Sequence, residues 1–181
     1  MERLWSPWRH AYVTRDEREP AGCVFCHVDS PEAQALVLHT GRAAFVILNL
    51  YPYNGGHAMV VPKRHVATLA GLHDDELVEI ARLTRLTEMA LAEVYHPQGM
   101  NIGLNLGRPA GAGIVDHVHV HLVPRWNGDT NFMPVVGQVR VLPETLDTTA
   151  ARLRPVLARL TSEAGDTPCL LYTSPSPPDG L

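Results

Sequence analysis

Three histidines in strict alternation, His117, His119 and His121, occupy the run Asp116-His117-Val118-His119-Val120-His121-Leu122-Val123-Pro124-Arg125-Trp126. A neutral imidazole is a good nucleophile near pH 7 and can form a phosphoramidate with a phosphorus centre. Spaced by two residues along a strand, three such rings make a row roughly 13 Å long. That row is too long for all three to ligate one ion. It suits contact with an extended anion such as a polyphosphate, the central ring meeting one phosphorus and its neighbours the flanking oxygens. A second group of candidates is the thiol pair of Cys23-Val24-Phe25-Cys26. Its spacing is compatible with tetrahedral Zn²⁺, and equally with redox chemistry or simple burial.

Elements must hold these groups in place. The alternation of histidine with Val118, Val120 and Leu122 predicts a β-strand with imidazoles on one face and an apolar surface on the other. Residues 43–50 read as a buried strand, 51–56 (Tyr-Pro-Tyr-Asn-Gly-Gly) as a loop, and 57–62 as the returning strand of a hairpin. Residues 74–96 form the long helix, opened by Asp74, Asp75 and Glu76 and stopped by Pro97 and Gly99. Leu77, Ile80, Thr84, Leu91 and Val94 mark its apolar stripe, and Glu79, Arg82, Glu88 and Glu93 its solvated face. Residues 100–106 are a strand, and the small-residue loop 107–113 leads into the histidines. Residues 143–160 read as helical, interrupted at Pro155. Antiparallel strands with segregated helices indicate an α+β fold.

The segment His117-Val118-His119-Val120-His121-Leu122-Val123-Pro124-Arg125 closely resembles the histidine triad (HIT) motif of nucleotide hydrolases and transferases. Leu4-Trp5-Ser6-Pro7-Trp8-Arg9 and Arg125-Trp126-Asn127-Gly128-Asp129-Thr130-Asn131-Phe132 are similar to the branch related to diadenosine tetraphosphate phosphorylases. The resemblance runs from about residue 4 to about residue 155. It implies a HIT-like fold: an antiparallel sheet of about five strands, a long helix and a C-terminal helix, joined into a homodimer. It also implies catalysis by His119, His121, His57 and Asn105. His119 would attack the α-phosphorus of an adenosine polyphosphate, and His121 would donate to a phosphate oxygen. Substrate would further touch Asn49 at the ribose, His117, and the loop Gly111-Ala112-Gly113, whose glycines can present backbone N–H groups to an anion. The purine would lie in a slot lined by residues 45–48. Where many relatives carry Gln or Ser after the small residues, this chain has Ala112-Gly113, which removes a side-chain donor. The same resemblance adds His65 and His117 to Cys23 and Cys26 as ligands of a structural zinc. No organic cofactor is implied.

The favoured expectation is phosphorolysis of diadenosine tetraphosphate to ATP and ADP through a nucleotidyl-histidine. Purine nucleoside phosphoramidase and dinucleoside polyphosphate hydrolase are the alternatives within the same chemistry. A non-catalytic nucleotide sensor or adaptor, or a zinc-dependent interaction module, is the alternative from another class. The chain has 181 residues with 45% hydrophobic and 19% charged content, which supports one globular domain. A net charge of −4 gives no long-range attraction to nucleic acid or acidic membrane, so polyanion recognition must be local. The absence of a long apolar run or signal-peptide core predicts a cytoplasmic protein. The domain is expected over residues 1–160, as an N-terminal arm (1–22), a core (23–135) and a C-terminal extension (136–160). Residues 161–181 are expected to be unstructured. Residues 170–181, Pro-rich and aperiodic, are similar to translated sequencing-adaptor sequence.

Overall fold

A computed structural model of the chain describes residues 22–129 and 143–166. The expectations for Trp5, Trp8, residues 130–132 and the terminal tail from 167 onward, Cys169 included, lie outside these residues. The order of elements is α1 (Pro31–Leu36), β1 (Val37–Thr40), β2 (Ala44–Leu48), β3 (Ala58–Pro62), α2 (Asp74–Tyr95), β4 (Gly99–Leu104), β5 (Val120–Arg125) and α3 (Leu146–Asp166). The five strands form one sheet in the order β1-β2-β3-β5-β4, and every pairing is antiparallel. This is the expected α+β architecture.

The register of β2 on β3 places Val46 opposite Val60 and Leu48 opposite Ala58, all facing the helices. There they meet Ile80, Leu83, Leu86 and Leu91 of α2 and Leu153, Leu157 and Leu160 of α3. Val118 and Leu122 join the same core, with Val120 packed against it. Alternate residues Phe45, Ile47, Met59 and Val61 point to the opposite face and form a smaller cluster with Phe25 and Val37. The histidine run thus has its apolar half inside the main core, as the alternation requires.

Several boundaries differ from the sequence expectation. Regular pairing of β5 begins at Val120, so His117 and His119 precede the strand and only His121 lies within it. Two early elements, α1 and β1, have no counterpart in the sequence expectation. Ser30 caps α1 by accepting a hydrogen bond from the Ala33 amide at 3.3 Å, and Pro31 follows at the first helical position. The apolar stripe of α2 includes Leu83, Leu86, Thr87 and Ala90; Thr84 is only half-buried. Helix α3 runs unbroken through Pro155 to Asp166, six residues beyond the expected end of the folded part at 160. Pro155 and Ala151 are both exposed, so water can reach the carbonyl left without an N–H partner. Meanwhile Leu153 and Leu157 anchor the helix on both sides of the proline.

Glu79 is also not the solvated residue its helix position implied. Its carboxylate accepts from the backbone amides of Arg42 (2.6 Å) and Ala43 (2.7 Å), closing the β1–β2 turn onto α2. Glu79→Ala leaves both N–H groups without an acceptor. We expect a loss of about 1–3 kcal/mol, read as a lower urea midpoint at unchanged slope. An unchanged midpoint would show that water replaces the carboxylate at no cost.

Candidate functional site

His119 and His121 converge with His57, and each ring is held by a bond that fixes its tautomer. His119 Nδ1 lies 2.8 Å from the carbonyl oxygen of His117. A carbonyl only accepts, so Nδ1 carries the hydrogen and Nε2 is left as a bare lone pair. His57 Nδ1 accepts from the backbone amide of Tyr53 at 3.0 Å, which places the His57 hydrogen on Nε2. That hydrogen is donated to His121 Nδ1 at 3.0 Å, so neutral His121 carries its own hydrogen on Nε2. The His119 and His121 rings lie edge to face with centroids 4.7 Å apart. A lone pair and an N–H donor therefore stand side by side.

The surroundings keep these rings uncharged. Burial lowers the pKa of His119, against the opposing hydrogen bond to the His117 carbonyl. Burial, then repulsion from His119, brings His121 down to about 4. Both are neutral at pH 7, the form a nucleophilic imidazole requires.

His117 does something different. It is fully buried. Its Nε2 donates to the Pro62 carbonyl at 2.8 Å, and its Nδ1 faces Cys23 Sγ at 3.3 Å and Cys26 Sγ at 3.7 Å. With both nitrogens committed and no exposed surface, it has no atom to offer a substrate, which corrects the expectation that it also touches phosphate. His65 Nδ1 lies 3.3 Å from Cys26 Sγ. The four donor atoms of Cys23, Cys26, His65 and His117 all fall within 4.8 Å of one another. Tetrahedral zinc, with Zn–S near 2.3 Å and Zn–N near 2.1 Å, sets its ligand atoms about 3.3–3.8 Å apart. The donor set fits, and the Pro62 carbonyl supplies the outer hydrogen bond that orients a ligating histidine. The Cys26 thiol is raised by burial and by the adjacent Cys23, as for two thiols that share a charge only at some cost.

The remaining candidates are placed as follows. Asn49 follows β2, directly across from His57, whose carbonyl accepts its amide at 2.9 Å. Its side-chain oxygen accepts from the Tyr51 amide at 2.9 Å, so it shapes the 50–56 loop. Asn105 is half-buried just beyond β4. In the small-residue loop, Gly111 adopts φ 94°, a left-handed conformation suited to glycine. Its amide bonds the Arg108 carbonyl (2.9 Å) and the Ala112 amide the Gly107 carbonyl (3.3 Å). Those two N–H groups are spent within the turn, so they cannot form the anion nest expected there; of the three residues, only Gly113 lies beyond it. The base slot also needs correction. Strand alternation sends Val46 and Leu48 into the helix-facing core, and Phe45 and Ile47 are covered within the Phe25 cluster.

Sequence reasoning missed three contributors. Tyr53 lies against His57 (centroids 4.6 Å) and stacks toward His121 (6.0 Å). Phe25 contacts His117 and His119. Asn54 donates to the Pro124 carbonyl (3.0 Å) and to Asp129 (2.8 Å), tying the Tyr53 loop to the end of β5. Asp129 is in turn gripped by Arg125 at 2.6 and 2.9 Å, which holds its carboxyl far below the usual range. Proximity of Asn-Gly to the hairpin gave the loop, yet nothing local identified its distant anchor.

Comparison with known proteins agrees with this geometry. The HIT domain model matches residues 30–128. Over 167 residues the chain is 40% identical to a Mycobacterium tuberculosis protein called AP-4-A phosphorylase, covering 88% of this chain and 86% of that one. A Zn-bound histidine triad family protein from Mycobacterium smegmatis superposes with a TM-score of 0.63 at 32% identity, over 78% of this chain and 97% of the other. A hypothetical histidine triad nucleotide-binding protein from Sulfolobus tokodaii gives a TM-score of 0.66 at 27% identity, over 80% and 97%.

Proposed function

The chain belongs to the HIT domain family, and we propose that it is a nucleotidyl transferase that cleaves dinucleoside polyphosphates, with phosphorolysis of diadenosine tetraphosphate as its reaction. One observation carries the chemistry: the His119 Nδ1–H to carbonyl bond that leaves Nε2 unprotonated in a buried, neutral ring. Nε2 of His119 attacks the α-phosphorus in line, forming a P–N bond while the P–O bond to the rest of the phosphate chain breaks. The His121 Nε2–H donates to the departing oxygen, so charge developing on the leaving ATP is met where it forms. Inorganic phosphate then attacks the nucleotidyl-His119, the P–N bond breaks, and ADP leaves with the histidine restored. Asn105 helps hold the scissile phosphate, and Asn49 contacts the ribose. His57 keeps His121 in its donor tautomer.

Cys23, Cys26, His65 and His117 would hold zinc. The ion would act there as a structural cross-link between the N-terminal turn and the histidine run. The choice of phosphorolysis is supported by the identity to the mycobacterial AP-4-A phosphorylase along most of both chains. A homodimer is supported by β4, an edge strand of the sheet among the described residues, which carries Ile102 at 43% exposure. No helix among the described residues is long and apolar enough to cross a membrane, and we place the protein in the cytoplasm.

Product analysis tests the reading. Incubation with diadenosine tetraphosphate and inorganic phosphate is expected to yield ATP and ADP in equal amounts, and little product without phosphate. ATP plus AMP, independent of phosphate, would make it a hydrolase. No cleavage under either condition would leave a nucleotide-binding protein.

A further inference from the structure

Phe25 stands between the two cysteines of the thiol pair and is 5% exposed. Its ring meets His117 edge-on with centroids 5.4 Å apart and leans on His119 at 5.0 Å, tilted by 57°. Resting on the assignment of His119 as nucleophile, we propose that Phe25 is a positioning residue that couples the Cys23–Cys26–His65–His117 cluster to the His119 ring.

Two links connect the cluster to that ring. The polar link passes through His117, whose Nδ1 faces the thiols and whose carbonyl accepts from His119 Nδ1. This bond fixes the tautomer, yet a single hydrogen bond lets a ring rock about its own axis. The apolar link removes that freedom. The His119 ring contacts both Phe25 and His121, the latter held by His57. The His121 side is anchored by β5 and the hairpin. The Phe25 side is anchored by the four-residue turn that Cys23 and Cys26 begin and end, closed by the Cys26 amide on the Cys23 carbonyl at 3.0 Å. The residues that define the cluster therefore also set where Phe25 stands. Its outer neighbours Val37, Phe45, Ile47, Met59 and Val61 keep the ring from swinging away. With so little exposed surface, Phe25 acts on the ring it touches rather than on a substrate.

The test compares full-length, zinc-replete wild type with Phe25→Ala and Phe25→Leu. Readouts are the single-turnover rate of His119 adduct formation with diadenosine tetraphosphate, the KM, zinc per chain, and the imidazole ¹⁵N spectrum of His119. For Phe25→Ala we expect adduct formation slower by about tenfold or more, with KM and zinc content within about twofold of wild type. The His119 Nδ1–H signal broadens as the ring gains freedom. Phe25→Leu, which keeps most of the bulk, recovers most of the rate. An unchanged rate overturns the proposal. So does a raised KM at constant kcat, which would make the ring a substrate contact. Zinc loss in step with rate would reduce it to a support for the metal turn, and also overturns it. If Phe25→Ala does not fold, Phe25→Leu and Phe25→Val decide, since a graded rate at constant zinc is expected and a flat one refutes coupling. A wild type that forms no adduct on His119 refutes the nucleophile itself; a normal wild-type adduct untouched by the Phe25 variants refutes only the coupling.

Discussion

His119→Asn is expected to abolish cleavage of diadenosine tetraphosphate, lowering kcat by about four orders of magnitude or more, while AMP affinity changes only a few-fold. The substitution removes the one unprotonated ring nitrogen that the His117 carbonyl leaves exposed to chemistry. It preserves a polar side chain of smaller volume in a pocket that already contains His121 and Phe25. Binding energy from the base and ribose of AMP would come from other groups and persist. Liquid chromatography of products gives the rate, equilibrium dialysis with AMP gives the affinity, and acid-labile label on the protein reports the adduct. Unchanged turnover would refute the covalent assignment. A large loss of AMP binding would show that the ring is a ligand contact whose removal tells nothing about nucleophilicity.

Removal of zinc has the second-largest expected effect. Purified wild type should carry close to one zinc per chain, and Cys23→Ser should carry far less. An ion held by Cys23, Cys26, His65 and His117 would join residues 23–26 to 65 and 117, and its loss would remove several kcal/mol of folding energy. For a loss near 3 kcal/mol in a chain of this size, the melting temperature falls by about 6–12 °C. Chelation of the wild type should reproduce that fall, and chelation of Cys23→Ser should add little. A wild type that neither contains nor takes up stoichiometric metal would show that the four donors are a hydrogen-bonded cluster instead.

Much of this architecture is readable from residue patterns because the decisive signals are local. The alternation at 117–122 announced a two-faced segment, and Val118 and Leu122 are buried in the core as that pattern demands. The acidic start of α2 follows from Asp74, Asp75 and Glu76 and its stop from Pro97, while the left-handed conformation of His96 had no local signal. Ser30-Pro31-Glu32 carries an equally local signal for α1, in cap, first-turn proline and acidic residue, but six residues are too few to show a helical period. What was not legible depends on contacts between distant residues. Glu79 reads as a surface charge until the β1–β2 turn is known to arrive beneath it. The amides of Gly111 and Ala112 read as an anion nest until the turn closes and consumes them. The dual placement of His117 failed for a related reason: spacing tells which residues share a face, while the Pro62 carbonyl and the two thiols decide what that ring faces.

The thiols and their buried imidazole partner stand 94 and 91 positions apart along the chain. Two sulfurs are all that the N-terminal turn can offer by itself. The third and fourth donors are set by the sheet, since Pro62 at the end of β3 orients His117 and His65 follows that strand. Closing so long a loop costs chain entropy that the paired strands must offset. An ion gripped by all four donors would therefore report that the thiol turn, the end of β3 and the histidine run are already in place.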